Sequence, residues 1–369
     1  MATINQDREI VHIEERPHQA DMPESPDYVM TSLAGAMALG LEPGRFARDE
    51  VQLKGLNVMT TYQENCVANC SYCGVSRERR VTREETTFIR VKWPVYHVDD
   101  LIERANQVSH QMRRLCVGML AQPKSLEHSL TVIERFQGAT NLLISGLITA
   151  SLIKSREQLE RIKAAGADRV DIAIDAATDK LFEQHRGRPV KGPHQWDHFW
   201  RVTQMATEVF DPGTVGIHLV VGLGETEEDL LRAVQKAQDL GVVTHLFSFN
   251  PEPSTLLGDR PQPPLGQYRR TQLGRYLINE LGLNLHHFQF NARGQVSDFG
   301  LEADVLERIL LSGRPFMTSG CPDETGETAC NRPYSNGRPS EPIRNFAFIP
   351  NADDVAEIRR QLWSGGEAD

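Results

Sequence analysis

The sequence predicts an α/β protein built as a partial, TIM-like (β/α)6 barrel, with an N-terminal arm and a C-terminal extension. Two observations carry that prediction. From residue 51 to about 250, short apolar runs alternate with amphipathic stretches, and strands separated by helices of roughly 10–15 residues imply βα units on a parallel sheet. Directly after the first apolar run stand Cys66, Cys70 and Cys73 in C-x3-C-x2-C spacing. A barrel puts its chemistry at the C-terminal ends of its strands, which is where this loop leaves.

The elements follow in order. Residues 1–28 are polar and rich in Glu, Asp and Pro and read as a surface arm. Met30 to Leu39 reads as a compact apolar helix ending near Gly40. Leu56–Met59 is the first strand, and Val98–Met112 a helix with Leu101, Ala105 and Val108 on one face. Strands over Arg114–Leu120, Asn141–Gly146, Arg169–Asp175, Val215–Leu223 and Val243–Phe249 follow. Between them lie helices over Leu126–Phe136, Ser155–Ala165, Trp196–Val209 and Glu225–Leu240. Pro251–Pro264 then leads to a helix near Tyr268–Leu281. The expected division is 1–50 for arm and helix, 51–285 for the barrel and 286–369 for the extension.

Composition narrows the classes of function. The chain has 369 residues, 40% hydrophobic and 24% charged, ordinary for a globular enzyme. A net charge of −10 disfavours a general nucleic-acid grip, which is built on excess Lys and Arg. No apolar run has membrane-spanning length, and the opening residues lack the basic and apolar blocks of a signal peptide. Six cysteines, three of them clustered at metal-ligand spacing, argue for a reducing cytoplasm over a disulfide framework. The expectation is a cytoplasmic protein.

The cysteine loop has three plainer readings. A C-x2-C pair is half of a zinc site, but structural zinc takes four protein ligands and no His or second Cys pair lies near in sequence. A redox dithiol leaves Cys66 unexplained. Inert core thiols do not sit three in eight residues among Asn, Ser and Arg. Three thiolates on one short loop instead hold three corners of a four-iron cluster and leave the fourth iron open to a small chelating molecule. With Tyr72 before the last cysteine and Gly74 after it, the loop resembles that of the radical S-adenosylmethionine (SAM) enzymes.

Other strand ends add candidates. Asp171 and Asp175 fall on one face of their strand, so that either can reach a ribose hydroxyl or simply be a solvated acid. Gly222 and Gly224 allow close approach of a flat ligand to the turn before a helix whose cap is Thr226, and that helix start is expected to offer free N–H groups. An ordinary strand-to-helix turn uses the same residues. His218 and His245 lie within strands and by default are hydrogen-bonded core histidines.

Wider similarity follows from particular stretches. Arg114-Leu-Cys-Val-Gly-Met, Ala164-Ala-Gly-Ala-Asp and Val221-Gly-Leu-Gly-Glu-Thr resemble biotin synthase over about residues 55–260. That resemblance implies an adenine-contacting turn at Gly222, Gly224 and Glu225, and places Cys116 at one auxiliary-cluster position. The other auxiliary positions carry no cysteine, His218 stands at one of them, and Val117-Gly-Met replaces the usual Gly-Gly-Glu, which points away from biotin synthase itself. The tail, from Thr318-Ser-Gly-Cys-Pro through Cys330-Asn-Arg-Pro-Tyr to Arg344-Asn-Phe, resembles the archaeal and sulfur-oxidiser type of lipoyl synthase, which works as a pair of radical SAM proteins. The nine-residue offset from Cys321 to Cys330 is longer than that tail implies.

The resemblance implies a radical SAM type of barrel, a SAM-binding 4Fe-4S cluster, and a hydrogen-abstracting 5′-deoxyadenosyl radical. It also implies a second, auxiliary Fe-S cluster on Cys321, Cys330 and Cys116, with Ser319 as a labile oxygen ligand and Arg332 or Arg338 as ligand or electrostatic support. Implied partners are an octanoylated lipoyl domain or lipoate-binding protein, a second synthase subunit, and a reducing donor such as ferredoxin or flavodoxin. The alternatives are another biotin-synthase-like enzyme acting on a small molecule, and a non-catalytic Fe-S or zinc scaffold.

Overall fold

The computed structural model describes residues 23–79, 81 and 86–364. Its centre is an eight-stranded sheet. In chain order the strands of that sheet and the early elements are β1 (Tyr28–Thr31), α1 (Leu33–Ala38) and β2 (Gly55–Thr60). A short pair, β3 (Thr87–Phe88) and β4 (Val91–Lys92), precedes β5 (Val95–His97). The repeating units then run α2 (Val98–Gln107), β6 (Arg114–Gly118), α3 (Ser125–Ala139), β7 (Leu143–Ile148) and α4 (Arg156–Ala164). They continue as β8 (Arg169–Asp175), α5 (Asp179–Arg186), α6 (Trp196–Thr207), β9 (Val215–Val221), α7 (Glu227–Asp239) and β10 (Val243–Ser248).

The spatial order is β10-β9-β8-β7-β6-β2-β1-β5, so six strands, β2 and β6 to β10, lie side by side in chain order. All of their pairings are parallel. The alternating helices supply the crossovers that a parallel sheet needs. Burial on both faces is visible in β6, all of whose residues are buried, and in the run Val170–Ile172 of β8. The sheet is a partial barrel: β10 and β5 are its two edges and do not pair with each other.

The N-terminal segment differs from expectation. Tyr28–Thr31 is a strand, antiparallel to β2 on one side and β5 on the other. Pairing on both sides satisfies the backbone groups that point each way, which outweighs the weak helix preference of a short apolar run. The helix begins only where the Ser32 hydroxyl accepts the Gly35 N–H at 3.1 Å, an N-cap that stops it extending back to Met30. The arm expected over residues 1–28 falls outside the described residues as far as 22. The sequence reading also passed over α5, although Thr178 caps it through the Leu181 N–H.

After the barrel, α8 (Leu265–Asn279) packs on α7, and α9 (Ala303–Leu311), α10 (Arg332–Ser335) and α11 (Ala352–Leu362) follow. Most of α8 is buried, including Arg269, Arg270 and Arg275. Arg270 grips Glu227 at the head of α7, with Nη2 to Oε1 at 2.7 Å and both side chains below 5% exposed. Glu227 also accepts the Val296 N–H at 2.8 Å. Thr226 and Asp229 form the capping box that starts α7, as the sequence indicated for Thr226. No helix among the described residues is long and apolar enough to cross a membrane.

The stretch 318–332 closes the end of the barrel where the strands begin. Arg114, the first residue of β6, donates to the Pro322 carbonyl and pairs with Asp168 at 2.6 Å. Lys54, just before β2, pairs with Asp323 at 3.2 Å. Gly55 lies so close beneath the tail that a Cβ there would stand 2.8 Å from the Ala329 carbonyl.

Arg270→Met leaves the Glu227 carboxylate buried without its cation. The expected loss is about 3–5 kcal/mol, read as a lowered urea midpoint. The double change with Glu227→Gln should regain part of it, and equal midpoints for Arg270→Met and the unmodified chain would refute the pairing.

Candidate active site

The loop after β2 turns Cys66, Cys70 and Cys73 into one cavity at the C-terminal ends of the strands. Its geometry is held from outside. The buried Arg79 guanidinium pairs with the buried Glu252 at 2.9 Å and donates to the Gly74 and Thr87 carbonyls. Gly74 is required by that packing, since a Cβ would sit 1.9 Å from the Thr87 carbonyl oxygen. The Cys66 N–H donates to Val75 and the Arg77 N–H to Ala68, which closes the loop on itself.

All six cysteines are free thiols. Burial, with Cys70 close by, pushes the Cys66 thiol up to about 11, and burial raises Cys70 and Cys73 as well. Three desolvated thiols facing one cavity, with no fourth cysteine lining it, suit a four-iron cluster with one open corner. Around them stand Tyr72, Met119, Asp175, Arg186, His194, His218, Phe247 and Arg332. Tyr72 donates its hydroxyl to Asp175 at 2.7 Å. Arg186, which the sequence reading missed, lies 3.4 Å from Asp175 and donates to the Ile174 carbonyl. Burial opposes its charge, but Tyr72, Asp175 and Cys70 outweigh that and raise its pKa.

Asp171 and Asp175 are separated by depth. The pairing of β8 with β9 shifts between Ala173 and Asp175, and Asp175 takes a positive φ of 64° at the cavity. Asp171 instead lies deep in the barrel, so the shared face inferred from the pleat does not bring the two carboxylates to one ligand. Its Oδ1 is 3.1 Å from His245 Nε2, and the Cys321 thiol donates to its Oδ2 at 3.1 Å. Burial opposes both charges, yet the pairing holds Asp171 below the usual carboxylate range and raises His245 to about 9. Neighbouring His218 is driven down to about 3 by burial and is neutral.

This lower chamber has the marks of a metal site. One ligand atom from each of Asp171, His245 and Cys321 lies within 4.8 Å of the others. Asp171 Oδ1 and His245 Nε2 have no hydrogen-bond partner of good geometry among the described residues. Gly216 leaves the space, because a Cβ would stand 2.0 Å from Asp171 Oδ1 and 2.8 Å from His245 Nε2. Cys116 on β6 is buried in the same interior, where Cys330 and Cys321 act on it electrostatically. Asn57 Nδ2 lies 3.6 Å from Cys330 Sγ. Carboxylate, imidazole and thiol are all metal-ligand types, so the donor set suits a metal-containing group.

Ser319 is differently employed. Its hydroxyl accepts the Leu246 N–H at 3.0 Å, and its carbonyl lies against His245 Nδ1. Asp171 and His245, not Ser319, are the oxygen and nitrogen groups beside Cys321. Of the two arginines considered, Arg332 enters the interior and lines the cysteine cavity, whereas Arg338 faces a different cavity. Arg332 is buried, with its guanidinium over the rings of Phe88 and Trp93 at 5.1 and 5.3 Å.

The glycine turn is also occupied. The Glu225 carboxylate accepts the Gly222 and Gly224 N–H groups at 2.6 and 3.0 Å. None of the three residues lines the cysteine cavity. The free N–H groups expected of this turn are satisfied within it, and a Cβ on Gly222 would meet Pro263 at 2.8 Å. Close packing accounts for that glycine.

A family model described as the Radical SAM superfamily matches residues 60–237, which include the cysteine loop and the strands from β6 to β9. The matched region is the part of that superfamily concerned with SAM and Fe-S chemistry, in agreement with the three thiols gathered on one loop. No curated protein matches its sequence. Among solved structures, methylornithine synthase is 12% identical over 67% of this chain and 67% of its own, with a TM-score of 0.46. HydG, a maturase of the FeFe hydrogenase, is 14% identical over 66% of this chain and 57% of its own, TM-score 0.47. Coproporphyrinogen III oxidase from Escherichia coli is 15% identical over 81% and 66%, TM-score 0.40. These enzymes differ in substrate, and likeness at this level carries nothing about the substrate here.

Cys70→Ala is expected to cost the loop its metal, lowering iron after anaerobic reconstitution by about four per chain. Because the thiols are held protonated, metal uptake must release protons and should run faster at about pH 8.5 than at about pH 7. Unchanged iron content in the variant would contradict the assignment.

Proposed function

We propose that the chain is a lipoyl synthase, one of a cooperating pair, which inserts sulfur into a protein-bound octanoyl chain. The observation that carries this reading is the presence of two thiol sets in one barrel, Cys66, Cys70 and Cys73 at the open end and Cys116, Cys321 and Cys330 within. Sulfur insertion needs two separate capacities, abstraction of hydrogen from carbon and delivery of sulfur. When bound, a reduced 4Fe-4S cluster with SAM supplies the first and an auxiliary cluster the second.

The residues of this chain do the positioning. Cys66, Cys70 and Cys73 hold the first group, and Asp175, fixed by Tyr72 and Arg186, offers a carboxylate beside it. Met119, Ile148 and Phe247 give the cavity apolar walls suited to an alkyl chain. Cys116, Cys321 and Cys330 hold the second group, with Asp171 or His245 available as its non-cysteine ligand. Arg332 stands between the sets, feeling Cys116 and Cys330 on one side and Asp175 and Cys73 on the other. In this reading the partners are an octanoylated lipoyl domain or lipoate-binding protein, a second radical SAM subunit, and ferredoxin or flavodoxin as reductant.

The tight grouping of Asp171, His245 and Cys321 supports a second reading, in which the lower chamber holds a single metal ion and the enzyme performs another radical SAM reaction on a small molecule.

Iron and acid-labile sulfide separate the two. The lipoyl reading expects about eight irons per reconstituted chain, falling to about four in Cys321→Ala/Cys330→Ala, and sulfur gained by an octanoylated carrier only with the unmodified tail. About four irons in both proteins would remove the sulfur donor. About one metal beyond four, lost with His245→Ala, would favour the single-ion reading.

A further inference from the structure

The hairpin of β3 and β4 lines the cysteine cavity with Phe88 and Ile89, and its turn breaks a local rule. Thr87 pairs with Lys92 and Phe88 with Val91, which leaves Ile89 and Arg90 as the two turn residues. Both have a positive φ, 55° and 63°. Two-residue hairpin turns with positive φ at both positions are ordinarily filled by Asn-Gly, Asp-Gly or Gly-Gly. A β-branched residue is an outlier in that conformation, because its Cβ substituents crowd the backbone.

Backbone strain persists only where the surroundings impose it, and it gathers where a ligand is held. Arg90 is imposed on from several sides. Its guanidinium reaches both oxygens of Glu341 at 2.8 and 2.9 Å and Asn250 Oδ1 at 2.7 Å. Its N–H donates to the fully buried Glu252 at 2.6 Å. Those contacts fix the turn, but they do not ask for isoleucine at its first position. Phe88 and Val91, on either side, pack against the buried cluster around Cys66, Cys70 and Trp93, whereas Ile89 belongs to no core cluster among the described residues. Its side chain has the cavity wall as its place. Asparagine there would relax the turn and give up no core packing. What it would remove is an apolar branch from the wall.

We propose that Ile89 is a specificity-determining residue, whose side chain contacts a hydrocarbon portion of the substrate, and that the turn is held strained to keep it there. The polar lining of the cavity comes from Tyr72, Asp175 and Arg186, so the hydrocarbon side falls to Ile89 with Met119 and Phe247. The assignment asks only that the substrate carry an apolar segment. It does not depend on sulfur insertion or on a carrier protein.

The test uses the full chain purified without iron, in which the thiols are free. N-ethylmaleimide and N-octylmaleimide are the probes, and their rates at Cys66, Cys70 and Cys73 are followed by peptide mass spectrometry. The ratio of the two rates cancels any change in thiol ionisation. A hydrocarbon-binding wall makes the octyl reagent faster by about tenfold or more. Ile89→Asn, which tolerates the turn, is expected to lower that ratio about threefold or more while the melting temperature holds or rises. Ile89→Leu, apolar but not β-branched, is expected to keep the ratio. A ratio near one in the unmodified chain, or one unchanged by Ile89→Asn, overturns the inference. So does a melting temperature lowered in Ile89→Asn, since the side chain would then be holding the fold. A ratio that falls in Ile89→Asn alone upholds the inference, whatever the iron count or the carrier assay returns.

Discussion

A guanidinium buried without a carboxylate of its own needs an environment that accepts its charge, and Arg332 obtains one from the two thiol sets and the aromatic faces around it. Burial lowers its pKa, while Cys116, Cys330, Asp175 and Cys73 work in the opposite sense. Phe88, Trp93 and Phe247 offer their ring faces to the same group. To bring Arg332 there, the tail must pass under the first strands and rise inside the barrel. The contacts of Lys54 and Arg114 with Asp323 and Pro322 fix that path. Ionised thiols, once metal-bound, would give the arginine the negative charge that neutral thiols lack.

What the sequence revealed follows from where its information is local. Cys66, Cys70 and Cys73 fall within eight residues, so their meeting requires only one loop, and the strand before them is read from Leu56, Val58 and Met59. The parallel sheet was legible for a similar reason, since each βα unit repeats a short pattern. Asp171, His245 and Cys321 come from β8, β10 and the tail, and no spacing along the chain announces that they touch. Arg186 was missed because α5 was missed, although the cap at Thr178 was there to be read.

Two readings failed because satisfied and unsatisfied groups look alike in sequence. Gly222-Leu-Gly-Glu225 promised free N–H groups, and the carboxylate that takes them is the fourth residue of the same motif. Met30 and Thr31 looked helical as the start of a longer apolar run. They became part of a strand because β2 and β5 flank them, a fact that depends on residues about thirty and seventy positions away.

The closed lower end also sets an order of events in the life of the chain. Cys321 and Cys116 are 4% and 7% exposed, beneath a tail pinned to the starts of β2 and β6. An iron–sulfur group is far larger than any gap such burial leaves. If the proposed second group is seated there, its loading must precede the docking of residues 318–332, or pry them loose again, whereas Cys66, Cys70 and Cys73 face a cavity at the other end of the strands. A chain that folds before it meets its metal would be filled at one end and sealed, still empty, at the other.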